Sequence, residues 1–180
     1  MKKIFLVCLV FTTMLISVTA EDADQNSRER FSFNWSVGFH AQPEAFNRTS
    51  VLGFGFVLFE NDKVDIHSQL EFNNGVMIME AINEKYYKKS LVEKISIGMM
   101  TRENLFHPYG FLEGGIGTCG DDIFDVFANP LIWNIGLGTG LNIFATKNWS
   151  FSLEIGFLGN IYQGEFIPQQ GFELGTMWHF

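Results

Sequence analysis

The stretch "GFELGTMWHF" (Gly171–Phe180) sets Phe172, Leu174, Trp178 and Phe180 on one face and Glu173, Gly175 and His179 on the other. A period of two over ten residues is the mark of a half-buried strand rather than a helix. Terminal segments of soluble domains fray, so large apolar residues at every second position here would stand in water. Something apolar has to cover that face, and the rest of the chain says what.

Seven further segments carry the same alternation. "RFSFNWSVGFH" (Arg30–His40) opposes Phe31, Phe33, Trp35, Val37 and Phe39 to Ser32, Asn34, Ser36, Gly38 and His40. "VLGFGFVLFE" opposes Leu52, Phe54, Phe56 and Leu58 to Gly53 and Gly55, and "KVDIHSQLEFN" opposes Val64, Ile66, Leu70 and Phe72 to Asp65, His67, Gln69 and Glu71. In "LVEKISIGMMT", Leu91, Ile95, Ile97 and Met99 face away from Lys94, Ser96 and Gly98. The fifth segment, "PYGFLEGGIGT", is weaker, with Leu112 and Ile116 against Glu113, Gly115 and Gly117. "IWNIGLGTGLNIF" and "WSFSLEIGFL" are clear, the first opposing Trp133, Ile135 and Leu137 to Asn134, Gly136 and Gly138, the second Trp149, Phe151 and Leu153 to Ser150, Ser152 and Glu154. Helical spacing fits none of these windows as well.

The connections alternate in expected length. Segments two and three, four and five, and six and seven are joined by short turns, around Asn61-Asp62, "RENLFH" and "ATKN". The other connections read as longer loops, including "AQPEAFNRTS", the tract from Asn74 to Ser90, and Cys119 to Asn129. Short turns at one end and long loops at the other describe a transmembrane barrel of the outer-membrane kind.

The first twenty residues have Lys2, Lys3, a short apolar run and small residues at Val18-Thr19-Ala20, which predicts a secretory signal over 1–20. A short periplasmic segment, 21–29, and a barrel domain, 30–180, are expected to follow. Removing Lys2 and Lys3 from the 12 basic residues leaves 10 against 20 acidic, a formal charge of −10. Such a chain has no clustered cations for nucleic acid. Cys8 leaves with the signal, so Cys119 has no cysteine to pair with inside the chain. After Ala20 no apolar run is long enough for a membrane helix, although 20 residues are Phe.

Which face is wet separates this barrel from a soluble one. The non-apolar positions are mostly Gly, Ser and Asn with scattered single charges, which suits a narrow, crowded lumen. The opposite face is Phe, Leu, Ile, Val and Trp nearly without charge, and suits lipid. Phe31, Phe39, Trp133, Trp149 and Trp178 are its candidate interfacial girdle. Glu93 breaks the rule, which points either to a bulge in its segment or to a position near the headgroups. The last strand then pairs with the first, because every strand's backbone has to be satisfied inside lipid.

The chain resembles the small eight-stranded outer-membrane barrels of the OmpA and OmpX type. Their C-terminal assembly signal is a polar residue, any residue, Gly, two more, an aromatic or apolar residue, any residue, and a terminal aromatic. Glu173, Gly175, Trp178 and Phe180 match it. The resemblance implies an all-β, eight-stranded antiparallel up-and-down barrel in a bacterial outer membrane, with both termini in the periplasm. It also implies contact with outer-membrane lipid, lipopolysaccharide and the barrel-assembly machinery, and implies no activity.

The polar face gathers Arg30, Asp65, His67, Gln69, Glu71, Lys94, Glu113, Glu154, Glu173 and His179. Carboxylates beside histidines are one way to build an acid–base site. The plainer reading is a packed polar core in which Lys94 and Arg30 neutralise nearby carboxylates. A second, more distant resemblance is to PagL-type lipid A deacylases, carried by "GFLEGGIG" (Gly110–Gly117), "NIGLGTGLNIF" and "FSLEIGFLGN" (Phe151–Asn160). The catalytic His and Ser of that family correspond to Phe157 and Gly159 here, with Asn160 retained, so that hydrolysis has neither base nor nucleophile. His40 reads as a satisfied polar residue. "GDDIFD" (Gly120–Asp125) lacks calcium-loop spacing, and no metal or other cofactor is expected. "KYYKK" (Lys85–Lys89) is a basic, aromatic spot that suits lipopolysaccharide phosphate or a host surface, or is a solvated loop. The expected role is non-enzymatic, structural or adhesive through the outer loops. The alternative is a small-solute, cation-preferring channel, with lipid A modification third.

Overall fold

Alternating apolar residues make sheets, and a sheet in lipid has to close. In the computed structural model, which describes residues 30–42, 45–61, 63–79, 84–99, 105–120, 131–146, 148–162 and 164–180, eight strands do so. They are β1 (Phe31–Gln42), β2 (Ala45–Glu60), β3 (Val64–Met79), β4 (Glu84–Met99), β5 (Phe106–Gly120), β6 (Leu131–Thr146), β7 (Trp149–Tyr162) and β8 (Glu165–His179). Each pairs antiparallel with its sequence neighbours, and β8 pairs with β1 to complete an up-and-down transmembrane barrel. The expected signal, the 21–29 segment and loop residues 121–130 lie outside the described residues. Among those described, no helix is long and apolar enough to cross a membrane.

The seam is held at its end by reciprocal backbone bonds, Phe31 N–H to the Phe180 carbonyl at 3.0 Å and Phe180 N–H to the Phe31 carbonyl at 2.9 Å. The residues of the expected assembly signal all lie along this seam strand or at its end. Glu173 faces inward, Trp178 and Phe180 face outward, and Gly175 lets β8 pass Ser36, whose Cβ would stand 2.6 Å from a Cβ placed on the glycine. Phe180 stacks on Phe31, and Trp178 lies against Phe33.

Outward-facing Phe, Leu, Ile and Trp are exposed all round the wall, as at Phe54, Leu112, Leu137, Ile155 and Leu174. Of the expected girdle, Phe31, Trp149 and Trp178 sit at the end of the short turns. Phe39 and Trp133 sit at the opposite, loop end, where Phe46 and Phe172 flank Phe39.

Three sequence expectations need correction. The tract Asn74 to Ser90 is not a loop, because β3 runs to Met79 and β4 starts at Glu84, paired throughout. Likewise β1 and β2 extend to Gln42 and from Ala45, and β7 and β8 extend to Tyr162 and from Glu165. Above the lipid both faces of a strand are wet, so the apolar alternation fades while backbone pairing continues. Gly164, with φ of 86°, makes the tight return between β7 and β8 in a region glycine alone enters freely. Second, the pairing of β2 with β3 shifts between Val57 and Phe59, so the exposed outer face passes from Phe54 to Phe59 across an extra residue, Leu58. Third, β4 pairs with both neighbours without a shift, so no bulge redirects Glu93, which points outward between Leu70 and Gly114.

Candidate functional site

The lumen is stacked in three layers. At the turn end Asp65, 2% exposed, takes His67 Nε2 on Oδ2 and His107 Nε2 on Oδ1, each at 2.9 Å. Gly98 on β4 leaves the space these groups fill, since a Cβ there would run into Asp65 and His107. His107 stacks on Tyr109 one inward position further up β5, and His179 faces Phe144 and Ser150 nearby.

The middle layer is organised by Lys94, 3% exposed. Its Nζ reaches Glu71 Oε1 on β3 and Glu154 Oε2 across the barrel on β7, both at 2.7 Å, and lies 5.0 Å from the centroid of Phe111. Glu154 Oε1 takes the Tyr109 hydroxyl at 2.7 Å, Glu71 Oε1 takes Gln69 Nε2 at 2.7 Å, and Glu173 accepts from the Ser36 hydroxyl. A charge this deep is tolerated only when paired and hydrogen-bonded, and removing one partner of such a set costs about 3 to 5 kcal/mol. Charge-assisted bonds from six strands, with Val92 and Phe111 buried beside them, therefore fill the barrel at mid-height.

Above lies a polar cavity of about 40 Å³, lined by His40, Asn47, Asn73, Lys88, Asn134, Gln169 and others, with Glu71, Glu113 and Glu173 reaching it. Lys88 Nζ donates to Asn160 Oδ1 at 2.7 Å. Among the described residues His40 Nδ1, Asn73 Oδ1 and Asn134 Nδ2 have no hydrogen-bond partner within the protein. The space suffices for a few waters, which polar linings of this kind hold.

Of the residues expected in the lumen, Asp65, His67, Glu71, Lys94, Glu113, Glu154 and Glu173 project inward on their strands. Lys94 joins Glu71 and Glu154, while Asp65 and His67 form a separate cluster with His107. Arg30 stands at the mouth of the turn end, where its carbonyl accepts from Val57 N–H at 2.9 Å; the ion pairs described in the lumen are made by Lys94, His67 and His107. His107, Tyr109, Phe111 and Lys88 were missed. Counting back from Glu113 by twos reaches the first three, but an aromatic inward face hides them from a search for polar positions. Lys88 is six residues from Lys94, hence on the same face.

Phe157 and Gly159, the positions aligned with a deacylase base and nucleophile, face outward on β7. The Phe166 ring occupies the place a side chain at 159 would take, and Phe157 is exposed on the wall. Asn160 points inward to Lys88.

No protein-family profile and no curated protein matches the chain. Solved structures do. The chain is similar to Neisserial surface protein A, with a TM-score of 0.58, 14% identity, and coverage of 86% of this chain and 98% of that one. It is similar to the outer membrane enzyme PagL at 0.57, 12% identity, and 83% and 99% coverage. It is similar to Ail, the attachment invasion locus protein of Yersinia pestis, at 0.51, 12% identity, and 84% and 97% coverage. These likenesses establish a shared fold, the small eight-stranded outer-membrane barrel.

Proposed function

We propose that this chain is a non-enzymatic outer-membrane barrel whose working surface is its exterior, where the paired strands of the loop end meet a host or surface ligand. The observation that carries this reading is the middle layer of the lumen. Lys94 bridges β3 and β7 through Glu71 and Glu154, with Tyr109 and Phe111 packed against it. A solute crossing the barrel has to break charge-assisted bonds within a packed layer of low dielectric, where such bonds are strong. What is left for recognition is the rim above the lipid and the wall itself, on a rigid scaffold. The similarity in fold to an attachment protein and a surface protein is consistent with this role. The outward Phe157, and a glycine at 159 whose side-chain space the Phe166 ring fills, give lipid A hydrolysis neither base nor nucleophile. Outer-membrane lipid, lipopolysaccharide and the assembly machinery are the partners this location brings.

Planar-bilayer recording of the refolded barrel tests it. Silence is expected, together with reduced adhesion of cells when the β3–β4 ribbon between Asn74 and Ser90 is shortened to a tight turn. Discrete conductance steps that change with Glu113→Gln would overturn it in favour of the channel.

A further inference from the structure

The outer wall is not uniform above its apolar belt. Register across β2, β3, β4 and β5 defines outward-facing rungs. The rung Leu52, Phe72, Leu91 and Ile116 is wholly apolar and marks the upper edge of the belt on this side. The next rung toward the loop end is Ser50, Asn74, Lys89 and Thr118, and the one beyond is Arg48, Val76, Tyr87 and Gly120. Lys85 follows on β4, exposed. On β1 and β6 to β8 the corresponding outward positions are uncharged, among them Ala41, Leu131, Ile161, Phe166, Pro168 and Gln170. Among the described residues the outward cations of the loop-end half are thus confined to β2 and β4, either side of Asn74.

A second observation lies one rung below the edge. Glu93 faces outward there, between Leu70 and Gly114, with Ser68 Oγ donating to its Oε1 at 3.1 Å. Rungs are about 7 Å apart along a strand, so this carboxylate lies about 7 Å inside the upper edge of the belt. A carboxylate offers about four acceptor sites, and Ser68 supplies one bond. Gly114 leaves the wall beside it without a side chain.

We propose that the β2–β4 face binds one phosphorylated glycolipid of the outer leaflet, of the lipopolysaccharide type. Arg48 and Lys89 take a phosphate, and Glu93 accepts from the amide N–H or hydroxyl groups at the head of its acyl chains, which run on over Leu70 and the next rung below, Ile95 and Leu112. The proposal rests on the outer-membrane reading above. Its selectivity comes from Glu93, since ester-linked phospholipids bring acceptors to that depth and no donors, whereas the two cations attract any anionic headgroup.

The test is binding of lipopolysaccharide and of phosphatidylglycerol to the refolded full barrel in mixed micelles, followed by native mass spectrometry. Arg48→Ala combined with Lys89→Ala is expected to weaken lipopolysaccharide binding about tenfold or more. Glu93→Leu is expected to weaken it about threefold or more while leaving phosphatidylglycerol unchanged. Heat-modifiable migration checks folding, and Lys63→Ala at the turn end serves as the matched charge control. Retention of wild-type binding by the double variant overturns the site, and so does an equal loss with Lys63→Ala. Equal affinity for the two lipids with no effect of Glu93→Leu overturns the glycolipid. The outer-membrane reading fails separately, if the wild-type protein does not fractionate with outer membranes.

Discussion

Two neighbouring strands, β5 and β6, line the same side of the lumen and could hardly differ more. β5 sends in Tyr109, Phe111 and Glu113, and the residues directly opposite on β6 are Gly140, Gly138 and Gly136. A Cβ at Gly138 would stand 2.6 Å from the Phe111 ring, and one at Gly136 would stand 2.7 Å from Glu113 Cγ. Inward side chains of adjacent strands converge where a barrel is narrow, so only one of each pair can be large. The glycines of β6 are the space into which β5 packs, and that division lets eight strands seal their own interior.

The most damaging way to break the arrangement is to remove the cation around which the β5 side chains gather. Lys94→Met is expected to destabilise the barrel by about 3 to 5 kcal/mol, since Glu71 and Glu154 are then buried without a counter-charge. Urea unfolding in lipid vesicles measures it, and Lys94→Met with Glu71→Gln and Glu154→Gln should recover much of the loss. A smaller effect follows from filling the space. Gly138→Val is expected to cost about 1 to 3 kcal/mol by overpacking, and Phe111→Ala in the same chain should offset part of it, a coupling that a double-mutant cycle detects. An additive result would mean the two positions do not share volume. The smallest change is Tyr109→Phe, which keeps the ring over Gly140 and removes the bond to Glu154. A cost of about 1 kcal/mol is expected from the same unfolding curves.

Much of this division is legible in the sequence. The β6 alternation of Trp133, Ile135 and Leu137 with Asn134, Gly136 and Gly138 fixed which of its faces is inward, and Glu154 and Lys94 followed by parity. The partners of those glycines were not legible. Tyr109 and Phe111 are aromatic residues on an inward face, so their polarity argues for the wall, and the Leu112 and Ile116 pattern around them is weak. The Leu58 bulge was equally silent, because apolar residues on both sides of an insertion leave the alternation unreadable. Strand ends above the belt were misread as loops for a different reason. Pairing there depends on backbone hydrogen bonds, which are independent of side-chain polarity. The Lys94 bridge needed the third dimension, since it joins strands three apart around the barrel.

The seam between β1 and β8 bears on how the molecule forms. Seven of the eight pairings join strands consecutive in sequence and can zip as hairpins; the pairing of Phe31 with Phe180 cannot. Until it forms, both edges carry rows of N–H and C=O groups that hydrocarbon does not solvate, each costing several kcal/mol. A half-closed sheet is therefore no resting place in a bilayer. Closure has to come late and as one concerted event, and the same accounting in reverse makes loss of the seam inseparable from loss of the barrel.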